Sequence, residues 1–220
     1  MNEIEAALRG NREWSRYMTE KEPDFFQKLA RQQAPDFLWI GCSDSRVPAN
    51  QIVGMLPGQI FVHRNVANIV YPSDLNCLSV IEYAVDVLKV RHIIVCGHYR
   101  CGGVRAALDN QVHGLIDNWL TRIKDIYVQH AVEINALDSE DKRVNRMCEL
   151  NVIDQVKAVT HTTIVQDAWA RGQQLSVHGW VYGLDNGLVK DLGIHVDNPS
   201  QVPPPFRFMK PDNGRLEGAR

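Results

Sequence analysis

The stretch HIIVCGHYRCGG, residues 92–103, decides the fold expected for this chain. Four apolar residues, 93–96, end at a glycine, a pattern typical of a short strand that is buried on both faces in a parallel sheet. His98 and Cys101 follow directly, and a glycine pair then permits a tight turn before the helix start at VRAAL. These two potential metal ligands therefore lie on a strand-to-helix loop, where α/β proteins place their chemistry.

A second stretch, FLWIGCSDSRVP at residues 37–48, has the same design. Residues 37–40 predict another buried strand, and two polar residues follow the glycine that ends it. Neighbouring parallel strands lie about 4.8 Å apart, so side chains just beyond their carboxyl ends can reach a common ion. Two thiolates, one imidazole and one carboxylate form a tetrahedral zinc set. The members of this predicted set are Cys42, Asp44, His98 and Cys101.

The order of the remaining patterns predicts an α/β fold with a mostly parallel central sheet flanked by helices. QIFVHRN at residues 59–65 predicts a third strand, and Ser73 is expected to open a helix with Asp74 in its first turn. LSVHGWVYGL at residues 175–184 alternates as a strand, and the turn residues 185–187 join it to an antiparallel edge hairpin.

The length of 220 residues, with 45% hydrophobic residues, predicts a single domain over residues 1–220. Residues 1–34 are expected to form a helical arm, which either lies on a partner subunit or packs on its own domain. Residues 198–220, rich in proline and polar groups, are expected to form an irregular tail.

The charge is nearly balanced, with 24 basic and 26 acidic side chains and a formal net charge of −2. We therefore expect no binding to nucleic acid or to an anionic membrane surface, and a small substrate instead. The N-terminus lacks a basic region followed by an apolar run, and no apolar stretch approaches the roughly 20 residues of a membrane span. The protein is expected to be soluble and cytoplasmic.

The five cysteines are an odd number spread through a mid-sized chain, which favours metal or catalytic use over disulfides. Cys77 and Cys148 lie in apolar helical contexts and are interpreted as small buried hydrophobic residues. Cys96 lies inside a strand and is interpreted in the same way. His63 and His178 also lie in predicted strands, where histidines are more often core groups than ligands.

Arg46 stands two residues after Asp44, close enough for a two-pronged pair between guanidinium and carboxylate. This pair has a mechanistic consequence. With Asp44 on zinc, all four positions are filled and the site is of the closed, structural kind. With Asp44 held by Arg46, the fourth position is open.

Four motifs, GCSDSRVP, FVHRNVAN, EYAVDVL and CGHYRCGG, together resemble the β-class carbonic anhydrases, from the N-terminal arm to the hairpin at HGWVYG. The resemblance implies a lyase that reversibly hydrates carbon dioxide to bicarbonate and a proton. It implies one Zn2+ per chain, held by Cys42, His98, Cys101 and, in one state, Asp44. It also implies an α/β fold and an obligate homodimer, often paired into a tetramer as a dimer of dimers.

The resemblance further implies roles for individual residues. Asp44 would accept a hydrogen bond from the attacking hydroxide, and Arg46 would hold the carboxylate in place. The substrate pocket, partly contributed across the dimer, would be lined by Gln33, Phe61, Val66, Tyr83 and Gly102. A regulatory bicarbonate site would be formed by Trp39, Arg64 and Tyr182. Bicarbonate there, or low pH, would favour Asp44 on zinc and close the site.

Three alternatives remain open from the residues. A metal-free thiol hydrolase would use Cys42 as nucleophile, His98 as base and Asp44 as orienting group, but leaves Cys101 without a role. A zinc permanently closed by Asp44 would be a structural clip without hydration activity. The same fold and metal could instead hydrolyse carbon disulfide or carbonyl sulfide.

Overall fold

The computed structural model describes residues 2–31 and 33–208. The chain divides into two compact units, Met1–Ala34 and Pro35–Arg220. The strands are β1 Phe37–Cys42, β2 Ile60–Asn65, β3 His92–His98, β4 Ser176–Tyr182 and β5 Val189–Val196. The helices are α1 Glu3–Lys21, α2 Phe25–Arg31, α3 Ala49–Ile52, α4 Leu75–Glu82, α5 Gly102–Leu108, α6 Ile116–Trp119, α7 Thr121–Asn135, α8 Glu140–Thr160 and α9 Thr163–Ala170.

The first unit contains α1 and α2. Asn2 and Glu5 form a capping box at the start of α1, in which each side chain bonds the other residue's backbone N–H. Along α1 several large apolar side chains are exposed to solvent: Ile4, Leu8, Trp14 and Tyr17. The predicted helical arm at residues 1–34 thus consists of two helices, the first with an exposed apolar surface.

The second unit is built on a five-stranded sheet in the order β2-β1-β3-β4-β5. The first four strands are parallel, and β5 pairs antiparallel with β4 across the turn at residues 185–187. The predicted α/β class, with a mostly parallel sheet, flanking helices and an antiparallel edge, is confirmed.

Both faces of the sheet are covered because the central strands carry apolar side chains on both faces. Leu38 and Ile93 belong to a core that also contains Val152 and Val156 of α8. Trp39 and Ile94 alternate to the opposite face, where they belong to a second cluster with Ala49 of α3. Two-sided burial explains why these strands are continuous apolar runs and do not alternate.

The helix that precedes β3 begins one residue later than predicted. Asp74, and not Ser73, is the N-cap of α4: its Oδ1 accepts hydrogen bonds from the backbone N–H groups of Asn76 at 3.0 Å and Cys77 at 3.3 Å. A carboxylate at this position accepts hydrogen bonds from two free N–H groups and also interacts favourably with the helix dipole. Asp74 is therefore held at the helix terminus.

The predicted irregular tail at residues 198–220 contains two 3-10 turns, Pro199–Gln201 and Pro204–Phe206. Its last part, residues 209–220, lies outside the described residues. Among the described helices, none is long and apolar enough to cross a membrane.

Candidate metal centre

The carboxyl ends of two adjacent strands bring three predicted ligands together. Cys42 is the last residue of β1, His98 is the last residue of β3, and Cys101 is the N-cap of α5. The Sγ atoms of Cys42 and Cys101 are 3.9 Å apart, and the ligand atoms of all three residues lie within 4.8 Å of one another. The three residues are buried, with exposed fractions of 5%, 1% and 2% for Cys42, His98 and Cys101.

The imidazole of His98 is oriented as a metal ligand. Its Nδ1 lies 3.0 Å from the carbonyl oxygen of Tyr99, which can only accept, so Nδ1 carries the proton. Nε2 is buried and has no hydrogen-bond partner among the described residues. A buried acceptor is costly when it is unpaired, and a cation between Nε2 and the two sulfurs would satisfy it. The donor set therefore fits a divalent metal ion such as zinc.

The two sulfurs are arranged to share one proton. A hydrogen bond from Cys101 lowers the pKa of the Cys42 thiol to about 4, and the same bond raises the pKa of Cys101. The backbone N–H of Ala67 donates to Sγ of Cys42 at 3.3 Å. Ala67 adopts a left-handed conformation with φ of 63°, and the side chain of Asn151 donates to its carbonyl. Strained backbone is thus used to point an N–H group at a ligand sulfur.

Asp44 is held by Arg46 and is not a member of the three-residue ligand group. Nη2 of Arg46 donates to Oδ2 at 2.6 Å, and Nε donates to Oδ1 at 2.9 Å. Oδ2 lies 3.7 Å from Nε2 of His98, so the carboxylate borders the centre. The hydrogen bond from Arg46 lowers the pKa of Asp44 below its usual range. The geometry is that of the two-pronged pair predicted from sequence.

The three residues of the expected regulatory site share one face of the sheet. Arg64 donates from Nε to the carbonyl of Cys42 at 2.9 Å and from Nη2 to the carbonyl of Asp44 at 2.6 Å. Trp39 is buried, and Tyr182 packs against its cluster. A Cβ at position 41 would lie 2.9 Å from Cδ1 of Trp39, so glycine at that position makes room for the indole. Arg64 therefore connects this face directly to the backbone around Asp44.

The expected pocket residues fall into separate places. Val66 adjoins the loop after Cys101, since a Cβ at Gly103 would lie 2.9 Å from its Cγ1, and a Cβ at Gly102 would meet open space. Phe61 and Tyr83 form a ring pair with centroids 5.7 Å apart. Phe61 pairs with Leu38, four residues before Cys42, so it lies about 13 Å from the metal ligands along the strand. Gln33 is exposed in the first unit.

Sequence reasoning did not find two contributors to the centre. Ala67 supplies an N–H group to Cys42, and Asn151 of α8 holds Ala67. Neither an alanine nor a helical asparagine carries a recognisable ligand pattern. The sequence offered one indication for Ala67, which is its position within the motif FVHRNVAN.

A buried Cys–His–Cys group at the carboxyl edge of a mostly parallel sheet defines an α/β protein with a strand-end ligand group that could hold a metal ion. Comparison with known proteins specifies the family. The carbonic anhydrase family model matches residues 37–189. A carbonic anhydrase of Emericella nidulans is 50% identical over 184 residues, covering 84% of this chain and 81% of the relative. A carbonic anhydrase of Saccharomyces cerevisiae is 32% identical, covering 87% and 90%.

Comparison with solved structures indicates the same family. One of the two tetrameric β-carbonic anhydrases of Sordaria macrospora matches with a TM-score of 0.85 at 45% identity, covering 89% of this chain and all of that chain. The Coccomyxa β-carbonic anhydrase in complex with acetazolamide matches with a TM-score of 0.87 at 43% identity, covering 91% and 90%. This chain belongs to the β-class carbonic anhydrase family. Family membership does not favour the thiol hydrolase or the carbon disulfide hydrolase.

We expect Arg46→Gln to raise the pKa of Asp44, because the variant loses the charged hydrogen bonds that stabilise the carboxylate. Arg46→Lys keeps the charge but not the two-pronged geometry, so the rise should be smaller. Carboxyl NMR titration of the metal-free protein measures both values. The Asp44–Arg46 pair stabilises the folded protein at pH values above the ordinary aspartate pKa of about 3.9. This contribution is lost as the pH falls through the lower pKa that Asp44 has in the folded protein. An unchanged pKa in Arg46→Gln would contradict the assignment.

Proposed function

We propose that this chain reversibly hydrates carbon dioxide to bicarbonate and a proton, with one zinc ion held by Cys42, His98 and Cys101. The observation that carries the proposal is the buried ligand group with an unpaired imidazole nitrogen, in a chain of the β-carbonic anhydrase family. Zinc, when bound, supplies hydroxide at near-neutral pH by lowering the pKa of water. The protein contributes the fixed ligand geometry and a site largely shielded from solvent.

Asp44 and Arg46 are the proposed catalytic residues beside the ligands. The Asp44 carboxylate accepts a hydrogen bond from the attacking hydroxide and so aims its oxygen at the carbon of the substrate. Arg46 keeps this carboxylate ionised and in place through two hydrogen bonds of 2.9 and 2.6 Å. This arrangement supports the open state, in which Asp44 leaves the fourth position free for chemistry.

The proposed gating uses the link between Arg64 and the backbone near Asp44. The guanidinium holds the carbonyls of Cys42 and Asp44, and a bicarbonate ion would compete with both for its N–H groups. Loss of those bonds would free the segment between Cys42 and Arg46, so that Asp44 could leave Arg46 for the metal. Bicarbonate on the face formed by Trp39, Arg64 and Tyr182 would then inhibit the enzyme by population shift.

We propose a homodimer that can pair into a tetramer. Exposed apolar side chains support it, both along α1 and on the second unit at Val62, Val66 and Tyr83. The expected pocket residues Phe61 and Tyr83 lie far from the ligands of their own chain, which favours their use by a partner. The Sordaria macrospora relatives are described as tetrameric. Light scattering on the purified protein should give a molar mass equal to that of two or four chains. A monomer at assay concentration would contradict the proposal.

We also propose that the enzyme acts in the cytoplasm. All five cysteines are free thiols, Cys42, Cys77, Cys96, Cys101 and Cys148. Free thiols and a thiolate metal site are maintained most readily in a reducing compartment. Fractionation of cells that produce the protein tests this location, and recovery outside the cytoplasmic fraction would contradict it.

We expect stopped-flow assays on protein of known zinc content to show carbon dioxide hydration that rises toward alkaline pH. Two thiolates donate more charge to zinc than neutral imidazoles, so hydroxide forms at higher pH. Cys101→Ser should reduce the rate more than about 100-fold, because it removes a ligand. Cys96→Ala removes a buried thiol outside the ligand group and should retain the rate.

Two results would overturn this function. Zinc-replete protein without hydration at any pH would identify a closed structural site. Undiminished activity after complete removal of zinc would identify thiol chemistry at Cys42 instead.

For the gating, we expect Trp39→Phe to weaken inhibition by bicarbonate, because the variant loses the indole N–H on the proposed anion-binding face. Trp180→Phe is the matched control: Trp180 packs against the same cluster, with ring centroids 6.3 Å from Trp39, and lies outside the proposed site. Hydration rates are measured across bicarbonate concentration and pH. Unchanged inhibition in Trp39→Phe, or weaker inhibition only in Trp180→Phe, would reject the proposed site.

A further inference from the structure

The turn that joins two of the ligands is held by a side chain of α8. His98 ends β3, Cys101 is the N-cap of α5, and Tyr99 and Arg100 lie between them. We propose that Asn145 of α8 is a positioning residue for His98, acting through the peptide group that joins Tyr99 to Arg100. This inference rests on the zinc site of the proposed function and adds a residue that the ligand pattern does not contain.

This peptide group is hydrogen-bonded at both of its ends. Its carbonyl oxygen, which belongs to Tyr99, accepts a hydrogen bond from Nδ1 of His98 at 3.0 Å. Its N–H group, which belongs to Arg100, donates to Oδ1 of Asn145 at 3.0 Å. The peptide is trans and therefore planar, so its C=O and N–H bonds point in opposite directions. The bond to Asn145 thus fixes the direction of the carbonyl that orients the imidazole.

The backbone of Arg100 makes this contact necessary. Its φ is 56°, in the left-handed region that residues with a side chain rarely adopt. A half-turn of the peptide plane would return φ of Arg100 to a negative value and would point the carbonyl of Tyr99 away from Nδ1 of His98. Strained conformations of this kind persist only where the surrounding contacts enforce them. Asn145 supplies the contact that opposes this rotation.

The rest of Tyr99 is held independently of Asn145. Its backbone N–H donates at 3.0 Å to the carbonyl of Tyr182, the last residue of β4. Its hydroxyl donates at 2.6 Å to Oε1 of Glu149, which lies four residues after Asn145 on the same face of α8. Lys190 also donates to Oε1 of Glu149, at 2.7 Å. Loss of the Asn145 amide would therefore free one peptide group without releasing the whole turn.

The direction of the Tyr99 carbonyl matters for metal binding. With the carbonyl fixed, Nδ1 of His98 keeps the proton, and Nε2 is left for an ion beside the sulfurs of Cys42 and Cys101. With the carbonyl turned away, the ring can rotate and the other tautomer becomes accessible. Loss of a hydrogen-bond partner of a ligating histidine typically weakens metal binding about 10- to 100-fold. Asn145 acts through one further peptide group, so we expect the lower end of this range.

The test compares the zinc affinity of full-length variants by competition with a chelator. Asn145→Leu keeps the size of the side chain and favours the helix, but it removes the acceptor of the Arg100 N–H. We expect this variant to bind zinc about tenfold more weakly than the wild type. Asn145→Asp keeps an acceptor oxygen at the same position and should bind zinc at least as tightly as the wild type.

Gln59→Leu is the matched control. Oε1 of Gln59 also accepts a backbone N–H, from Leu56 at 2.6 Å. Gln59 directly precedes Ile60, which pairs with Phe37 at the end of β1 opposite to Cys42. The variant therefore loses an equivalent hydrogen bond away from the centre and should keep the wild-type zinc affinity.

The visible absorption spectrum of the Co2+-loaded protein reports the ligand geometry directly. We expect altered d–d bands in Asn145→Leu and wild-type bands in Asn145→Asp and Gln59→Leu. A general loss of stability would not separate the variants in this way. If Asn145→Leu does not fold, Asn145→Ala takes its place in both measurements.

Wild-type zinc affinity in Asn145→Leu, or an unchanged Co2+ spectrum, would overturn the positioning role. An equal loss of affinity in Asn145→Asp or Gln59→Leu would also overturn it, because the acceptor would then not be the cause. Failure of the proposed function is distinct, since it would appear as a wild-type chain without zinc or without hydration. A wild type that binds zinc and hydrates carbon dioxide, with unaffected Asn145→Leu, would reject the positioning role alone.

Discussion

Parallel pairing of β1 with β3 is the constraint on which the centre depends. The ladder opposes Gly41 to Cys96, which brings the ends of both strands to one edge of the sheet. Cys42 therefore lies beside His98, the last residue of β3, and Cys101, the N-cap of α5. A register slip of one residue would turn each side chain to the opposite face. Apolar burial on both faces of these strands prevents such a slip, so core packing is also what positions the ligands.

The centre is costly to bury without a cation. Two sulfurs that share a proton and an imidazole nitrogen without a partner are surrounded by apolar side chains. A fold retains such a group only where a ligand satisfies it, and a divalent ion satisfies all three at once. This physical argument and the family relationship lead independently to the same chemistry.

Strand β2 makes different contacts on its two faces. Its consecutive residues His63 and Arg64 point to opposite faces, because side chains alternate along a strand. Arg64 holds the backbone of Cys42 and Asp44 on one face, and His63 lies beside the start of α4 on the other. One edge strand can therefore hold the backbone beside the Cys42 group on one face and contact the start of α4 on the other.

The sequence by itself determined the strands, the glycine-ended turns and the candidate ligands Cys42, Asp44, His98 and Cys101, because each depends on a pattern a few residues long. It also identified Cys77 and His63 correctly as buried groups, but it could not find Ala67. Only the tertiary structure decided which of the two predicted arrangements Asp44 adopts, namely its pair with Arg46, and that Ala67 donates to Cys42. Local patterns follow from backbone geometry and residue type, whereas contacts between residues distant in sequence follow from register, burial and the packing of separate elements.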